Sequence, residues 1–192
     1  MDVAFALDIS TSVIGWAILP ITTPVLLSQR PILRGHIDLR KNDGGFWSKV
    51  DQMEKELSVI VNNIFTSHVI RQLFVEDPVE RFKNGLSSAH TIALLARFNA
   101  LTSCHVRRLV NLNPIYIDAT AARKVIGVPL LSKKKSGGMD QKEQTFQHLS
   151  KSIFLNENWP VNRNGKIQPW CYDEVDAYVI CLAGCLGLGE ST

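Results

Sequence analysis

The run VAFALDIS, residues 3–10, sets an ionisable carboxylate, Asp8, inside a segment that otherwise reads as a buried strand. A strand apolar at successive positions is covered on both faces, so the rest of the chain must pack layers on each side of it. An acid in such a strand is costly unless something compensates it. Thr11 and Ser12 suit a tight turn, and IGWAIL, residues 14–19, reads as a second strand paired with the first in a hairpin.

Pro20 and Pro24 break that pattern, and Ile32 to Asp38 suit a third strand. Phe46 to Phe65 carry apolar residues at helical spacing, among them Val50, Met53, Leu57 and Val61, so a helix is predicted there. Leu73 to Glu76 read as a short strand stopped by Asp77-Pro78. Ser87 or Ser88 suits the cap of a long helix running to about Leu109. NPIYID, residues 113–118, reads as a fifth strand, and Thr120 opens a short helix ending near Gly127. Residues 129–139, PLLSKKKSGGM, read as a mobile basic loop. Asp140 caps a helix predicted through about Phe154, and a last helix is predicted from about Asp173 to Leu186. This order predicts an α/β fold: a five-stranded mixed sheet, three antiparallel strands then two parallel, with helices on both faces.

The length of 192 residues suits a single domain spanning 1–192. The net charge of +3 is weaker than that of a DNA-coating protein, yet compatible with a basic face opposite an acidic pocket. Cys104, Cys171, Cys181 and Cys185 form no CxxC pair, so neither a zinc site nor a disulfide framework is expected. The first apolar stretch lacks a basic start and holds Asp2 and Asp8, unlike a signal peptide. The uncharged run at residues 9–29 is broken by Pro20 and Pro24, so no membrane span is expected there. A cytoplasmic protein, bacterial or in a virus-infected cell, with no membrane partner is therefore expected.

Asp8 does not stand alone. Glu76 ends another apolar run, LFVE, and a parallel neighbour would set it beside Asp8. Asp173 and Asp176 are three apart in YDEVDAYVICLA, hence on one helix face, with Ala177, Ile180 and Gly184 placed to pack against the sheet. Read singly, Asp173 is an ordinary N-cap residue and Asp77 a turn acid. Read together, four clustered carboxylates raise one another's pKa and call for hard cations. Two metal ions about 4 Å apart activate water and stabilise a leaving phosphodiester oxygen. Phosphoryl transfer is the chemistry that this set predicts.

The ordered motifs resemble those of the RuvC-type Holliday-junction resolvases, within the RNase H-like nuclease superfamily. ALDISTSVIGWAIL matches the first hairpin, FVEDP the second acid, and YDEVDAYVICLA the last pair. FKNGLSSAHTIALLARFNAL resembles the loop and long helix after that acid, and ATAARKVIG with DQKEQTFQHL resembles a basic segment and the following helix. The resemblance implies a structure-selective endonuclease on branched DNA, a homodimer, and Mg²⁺ or Mn²⁺, two per active site. It implies Asp8, Glu76, Asp173 and Asp176 as metal ligands and catalytic acids, and Lys142 as a catalytic lysine near the scissile phosphate. Phe82 and Lys83 fall in the loop whose aromatic wedges bases at the crossover, although Pro78 intervenes here. Arg123 and Lys124 fall in the basic segment, and Lys133, Lys134 and Lys135 resemble a phosphate-contacting loop. A solvated charge run is the alternative for the three lysines. The helix from about Ser88 to Leu109 reads as either a subunit seam or a core helix.

Other readings stay open. The same fold would serve a branched-DNA-binding protein that does not cleave, or a nuclease for RNA–DNA hybrids. DISTSVIGWAI also loosely resembles the phosphate-binding hairpin of actin-like sugar kinases, which need a second such domain. The histidines show no metal spacing, although His90 follows the Glu76 loop. Trp47, Trp159 and Trp170 read as core or loop anchors.

Overall fold

A computed structural model describes residues 1–78 and 89–189. Strands β1 (Asp2–Ile9), β2 (Val13–Pro20) and β3 (Leu33–Asp38) come first, then helix α1 (Gly45–Phe65) and β4 (Val69–Glu76). Helix α2 (Ala89–Val110), β5 (Ile115–Ile117), α3 (Ala119–Val125), α4 (Gln141–Ser150) and α5 (Trp170–Cys185) complete the order. The sheet runs β3-β2-β1-β4-β5. β1 pairs antiparallel with β2, and β2 with β3; β4 runs parallel to β1 and β5 parallel to β4. The predicted element order and mixed sheet are those observed.

β1 explains the layering. Val3, Phe5, Leu7 and Ile9 point to one face, where Val50, Met53, Leu57 and Val61 of α1 cover them. Ala4 and Ala6 point to the other, beneath Val175, Ala177, Tyr178 and Ile180 of α5. Alternation puts Asp8 on the alanine face. Small side chains there let α5 lie close to the sheet. Two glycines extend this. A Cβ at Gly184 would sit 2.5 Å from the Phe74 ring, and one at Gly15 would overlap the Asp173 carbonyl group. Gly15 is the antiparallel partner of Asp8, so the first turn of α5 rests on the residue across from that acid.

This close approach carries a prediction. Gly15→Ala must push the α5 N-terminus outward, at a cost of about 1–3 kcal/mol for overpacking. Thermal melting should fall by roughly 2–12 °C for a chain of this size. An unchanged melting temperature would show that α5 accommodates the methyl group.

Several boundaries differ from the sequence expectation. β4 begins at Val69, not Leu73, because pairing with β1 from Asp2↔Val69 onward extends the strand through polar Arg71 and Gln72. β5 spans only Ile115–Ile117, because Asp118 instead caps α3, its Oδ1 accepting from the Ala121 amide at 2.6 Å. α4 stops at Ser150 rather than near Phe154; the chain turns, so that Phe154 packs edge-on against Tyr178 at 5.1 Å. α5 begins at Trp170 behind Pro169, so Asp173 lies in its first turn and is not its cap. The proposed cap at Ser87 or Ser88 lies outside the described residues. Among the described residues no helix is long and apolar enough to cross a membrane.

Candidate active site

Asp8 and Glu76 reach the same end of the sheet by register. Leu7 pairs with Val75 in the parallel ladder, so the next residues, Asp8 and Glu76, are neighbours. Asn99 of α2 donates its side-chain amide to the Glu76 carbonyl at 3.3 Å, and the Asp77 amide donates to Ile117 at 2.9 Å, fixing where β4 ends. Asp173 and Asp176 come down from α5, which crosses β1 and β2. The structure therefore brings all four sequence-predicted acids to one place.

Lys142 enters from the first turn of α4, a helix started by the reciprocal capping box of Asp140 and Glu143. Its Nζ donates to Asp8 Oδ2 at 2.7 Å and to Asp173 Oδ1 at 2.6 Å, and lies 3.4 Å from Asp176 Oδ2. Arg123 of α3 supplies the second cation, its Nη2 donating to Asp176 Oδ2 at 2.7 Å. The resemblance sets Arg123 in the basic segment among expected DNA contacts; in the fold it is buried, 4% exposed, and bonded to Asp176. It pairs with an acid of the cluster. Lys124 is exposed on the same helix, and Lys133, Lys134 and Lys135 are exposed in the turns before α4. Phe82 and Lys83 lie outside the described residues.

The carboxylates divide by environment. Burial and the Asp8 charge drive the Glu76 carboxyl well above the ordinary range, and Glu76 shares a hydrogen bond with Asp8. Burial opposes ionisation of Asp8, but the Lys142 charge and the Glu76 hydrogen bond outweigh it and hold Asp8 low. Burial raises Asp173 to about 6 against the pull of Lys142. Burial raises Asp176 too, against Lys142 and Arg123. Burial would lower Lys142, but Asp8, Asp176 and Asp173 together raise it.

The sign of the resulting pH dependence follows from linkage. Between 3.8 and about 6 the folded chain binds a proton at Asp173 that the unfolded chain has released. Stability without added cations should therefore fall as pH rises through that window. Asp173→Asn should remove this part of the slope in denaturant melts at pH 4, 5 and 6. A slope identical to wild type would show that Asp173 is not raised.

The donor set is all carboxylate oxygen, the chemistry of a hard divalent ion. Among the described residues, Asp176 Oδ1 is buried and has no hydrogen-bond partner. Such an atom is costly unless a cation meets it. Among the described residues, the cations paired with these acids are Lys142 and Arg123. Among the described residues, however, no group of three or more His, Cys, Asp or Glu side chains is preset around one metal position. Their oxygens face the Lys142 ammonium instead. The residues thus fit hard cations in chemistry and charge, with a lysine at the centre of the set.

Other contacts were not legible in the sequence. His36 Nδ1 lies 2.7 Å from Glu174 Oε1, and its ring stacks on Trp170 at 5.0 Å. Arg34 bonds Glu157 and lies 3.3 Å from Glu174, with its guanidinium over the Trp159 ring at 4.4 Å. These contacts tie β3 and the segment before α5 to the first turn that carries Asp173. Gly15 had a usable signal, since a tight hairpin fixes it opposite Asp8. Arg34, His36 and Glu174 had none. Trp47, read as an anchor, is instead 62% exposed on α1, and His90 is exposed at the start of α2.

A mixed sheet in this order, with a long helix crossing its centre, defines an RNase H-like fold of the RuvC type. Two solved structures of Thermus thermophilus RuvC share it. One, in complex with a Holliday junction substrate, superposes with a TM-score of 0.59 at 10% identity, covering 95% of this chain and 92% of that one. The other superposes with a TM-score of 0.59 at 12% identity, covering 97% of each chain. No family model matches the sequence, and no curated protein does.

Proposed function

We propose that this chain is a metal-dependent, structure-selective endonuclease that resolves four-way and related branched DNA by paired phosphodiester hydrolysis. The observation that carries this reading is the convergence of Asp8, Glu76, Asp173 and Asp176 at one end of the central strands, with a buried Asp176 oxygen left unpartnered. Those four side chains would hold divalent ions, Mg²⁺ or Mn²⁺, two per site, which when bound supply Lewis-acid activation of water and neutralise the leaving oxygen. Arg123 would orient Asp176 and favour its charged form against burial. Both Asp8 and Glu76 would bind metal as carboxylates, so metal binding would depend on pH. Lys142 would face the scissile phosphate and stabilise the charge that grows there.

Lys124 and Lys133–Lys135 would contact phosphates and fix the duplex without reading sequence. A homodimer matches the approximate two-fold symmetry of a four-way junction. The candidate seam is the outward face of α2, where Ala93, Ala96 and Ala100 are exposed. The RuvC structure solved with a Holliday junction makes that junction the first substrate to test.

The test compares a four-way junction, a replication fork, linear duplex and an RNA–DNA hybrid in Mg²⁺. Symmetric paired nicks in the junction, with plain duplex spared, are expected. Equal cutting of plain duplex would overturn junction selectivity, and no cutting of any substrate would overturn the nuclease reading.

A further inference from the structure

We infer that Lys142 is an internal counter-cation: its ammonium takes the place of a divalent ion among the acids and is displaced when one binds. The inference rests on the proposed nuclease reading for the identity of the ion.

The geometry is that of a cation site already filled. One ammonium lies within 2.7 Å of Asp8 Oδ2 and 2.6 Å of Asp173 Oδ1, and 3.4 Å from Asp176 Oδ2. These three acids belong to β1 and to two positions of α5, so the lysine links sheet and helix as a bridging ion would. It does so incompletely. A single charge faces several carboxylates, and Asp176 Oδ1 remains buried and unpartnered. A divalent ion offers twice the charge and no fixed donor directions.

Exposure decides which partner moves. The Asp8 and Asp176 side chains are 3% exposed and Asp173 is 17% exposed, whereas Lys142 is 36% exposed. The acids are held by the sheet and by α5. α4 is held by buried Gln144, Thr145, Phe146 and Leu149. A flexible lysine stem therefore swings outward while its helix and the acids stay. Like-charge repulsion from the incoming ion supplies the drive. The outward direction is the one from which a phosphate would approach, so metal loading would free Lys142 for the substrate.

The experiment titrates Mg²⁺ by calorimetry into chelator-treated wild type and Lys142→Gln, and melts both with and without Mg²⁺. With its competitor removed, Lys142→Gln should bind Mg²⁺ more tightly, on the order of tenfold. It should also melt lower than wild type without metal and gain more from Mg²⁺. Equal or weaker Mg²⁺ affinity in Lys142→Gln would overturn the displacement. Should Lys142→Gln fail to fold, the side-chain nitrogen signal of Lys142 is followed by NMR in the wild type, assigned with Lys142→Arg. Mg²⁺ should shift that signal, and an unchanged signal at saturating Mg²⁺ would overturn the inference. Absence of both Mg²⁺ and Mn²⁺ binding in wild type would instead overturn the metal-dependent reading from which it starts.

Discussion

Asp8→Asn is expected to reduce junction cleavage by at least about a hundredfold, since even groups one layer removed from a metal cost 10–100-fold when lost. Junction binding should persist. The change is isosteric and removes one negative charge from a site that must receive phosphate. Lys142 keeps its bond to Asp173. Cleavage and gel-shift measurements on the same four-way junction decide the matter. Loss of both would mean that Asp8 holds the fold. Retention of both would mean that the chemistry lies elsewhere. Binding without cutting by the wild type would favour the non-cleaving alternative.

Arg123→Leu should be the most destabilising single change at the site. It leaves Asp176, 2% exposed, with only the more distant Lys142. Breaking a buried ion pair from one side costs about 3–5 kcal/mol, because the remaining charge has no water to turn to. The melting temperature should fall by roughly 6–20 °C. Adding Asp176→Asn should recover most of the loss. The double variant thus separates the burden of an orphaned charge from the packing of the arginine stem. A single variant melting within a degree of wild type would place the Arg123–Asp176 bond at the margin of stability.

The first prediction begins with Asp8 and the second with the Arg123–Asp176 pair, and the two differ in how far they could be read. The alternation of alanine with larger residues in VAFALDIS already separates a thin face from a thick one. The hairpin sets Gly15 across from Asp8, and the LFVE run delivers Glu76 to a strand end. These are local facts of period and turn, which a sequence displays because the same few residues cause them. The lengths of β4 and α4 were less legible. Gln72 is polar yet paired by β1, Arg71 sits at the register shift beside it, and Phe154 leaves its helix to fill space under Tyr178.

Arg123 shows the limit most directly. In ATAARKVIG it is one basic residue beside another, and nothing in that spacing distinguishes a surface cation from a buried one. The packing of α3 against α5 turns it toward Asp176, while Lys124 faces water. Lys142 is similar: its position on α4 was readable, but not that its ammonium meets Asp8, Asp173 and Asp176 together.

The sequence by itself determined the order of elements along the chain, the layered mixed sheet and which acids share a face, because hydrophobic period and hairpin register act over a few neighbouring residues. Only the tertiary structure decided how those charges are balanced. Arg123, Lys142 and the acids come from separate elements, and their pairing depends on how closely α3, α4 and α5 approach the sheet, which no local pattern encodes.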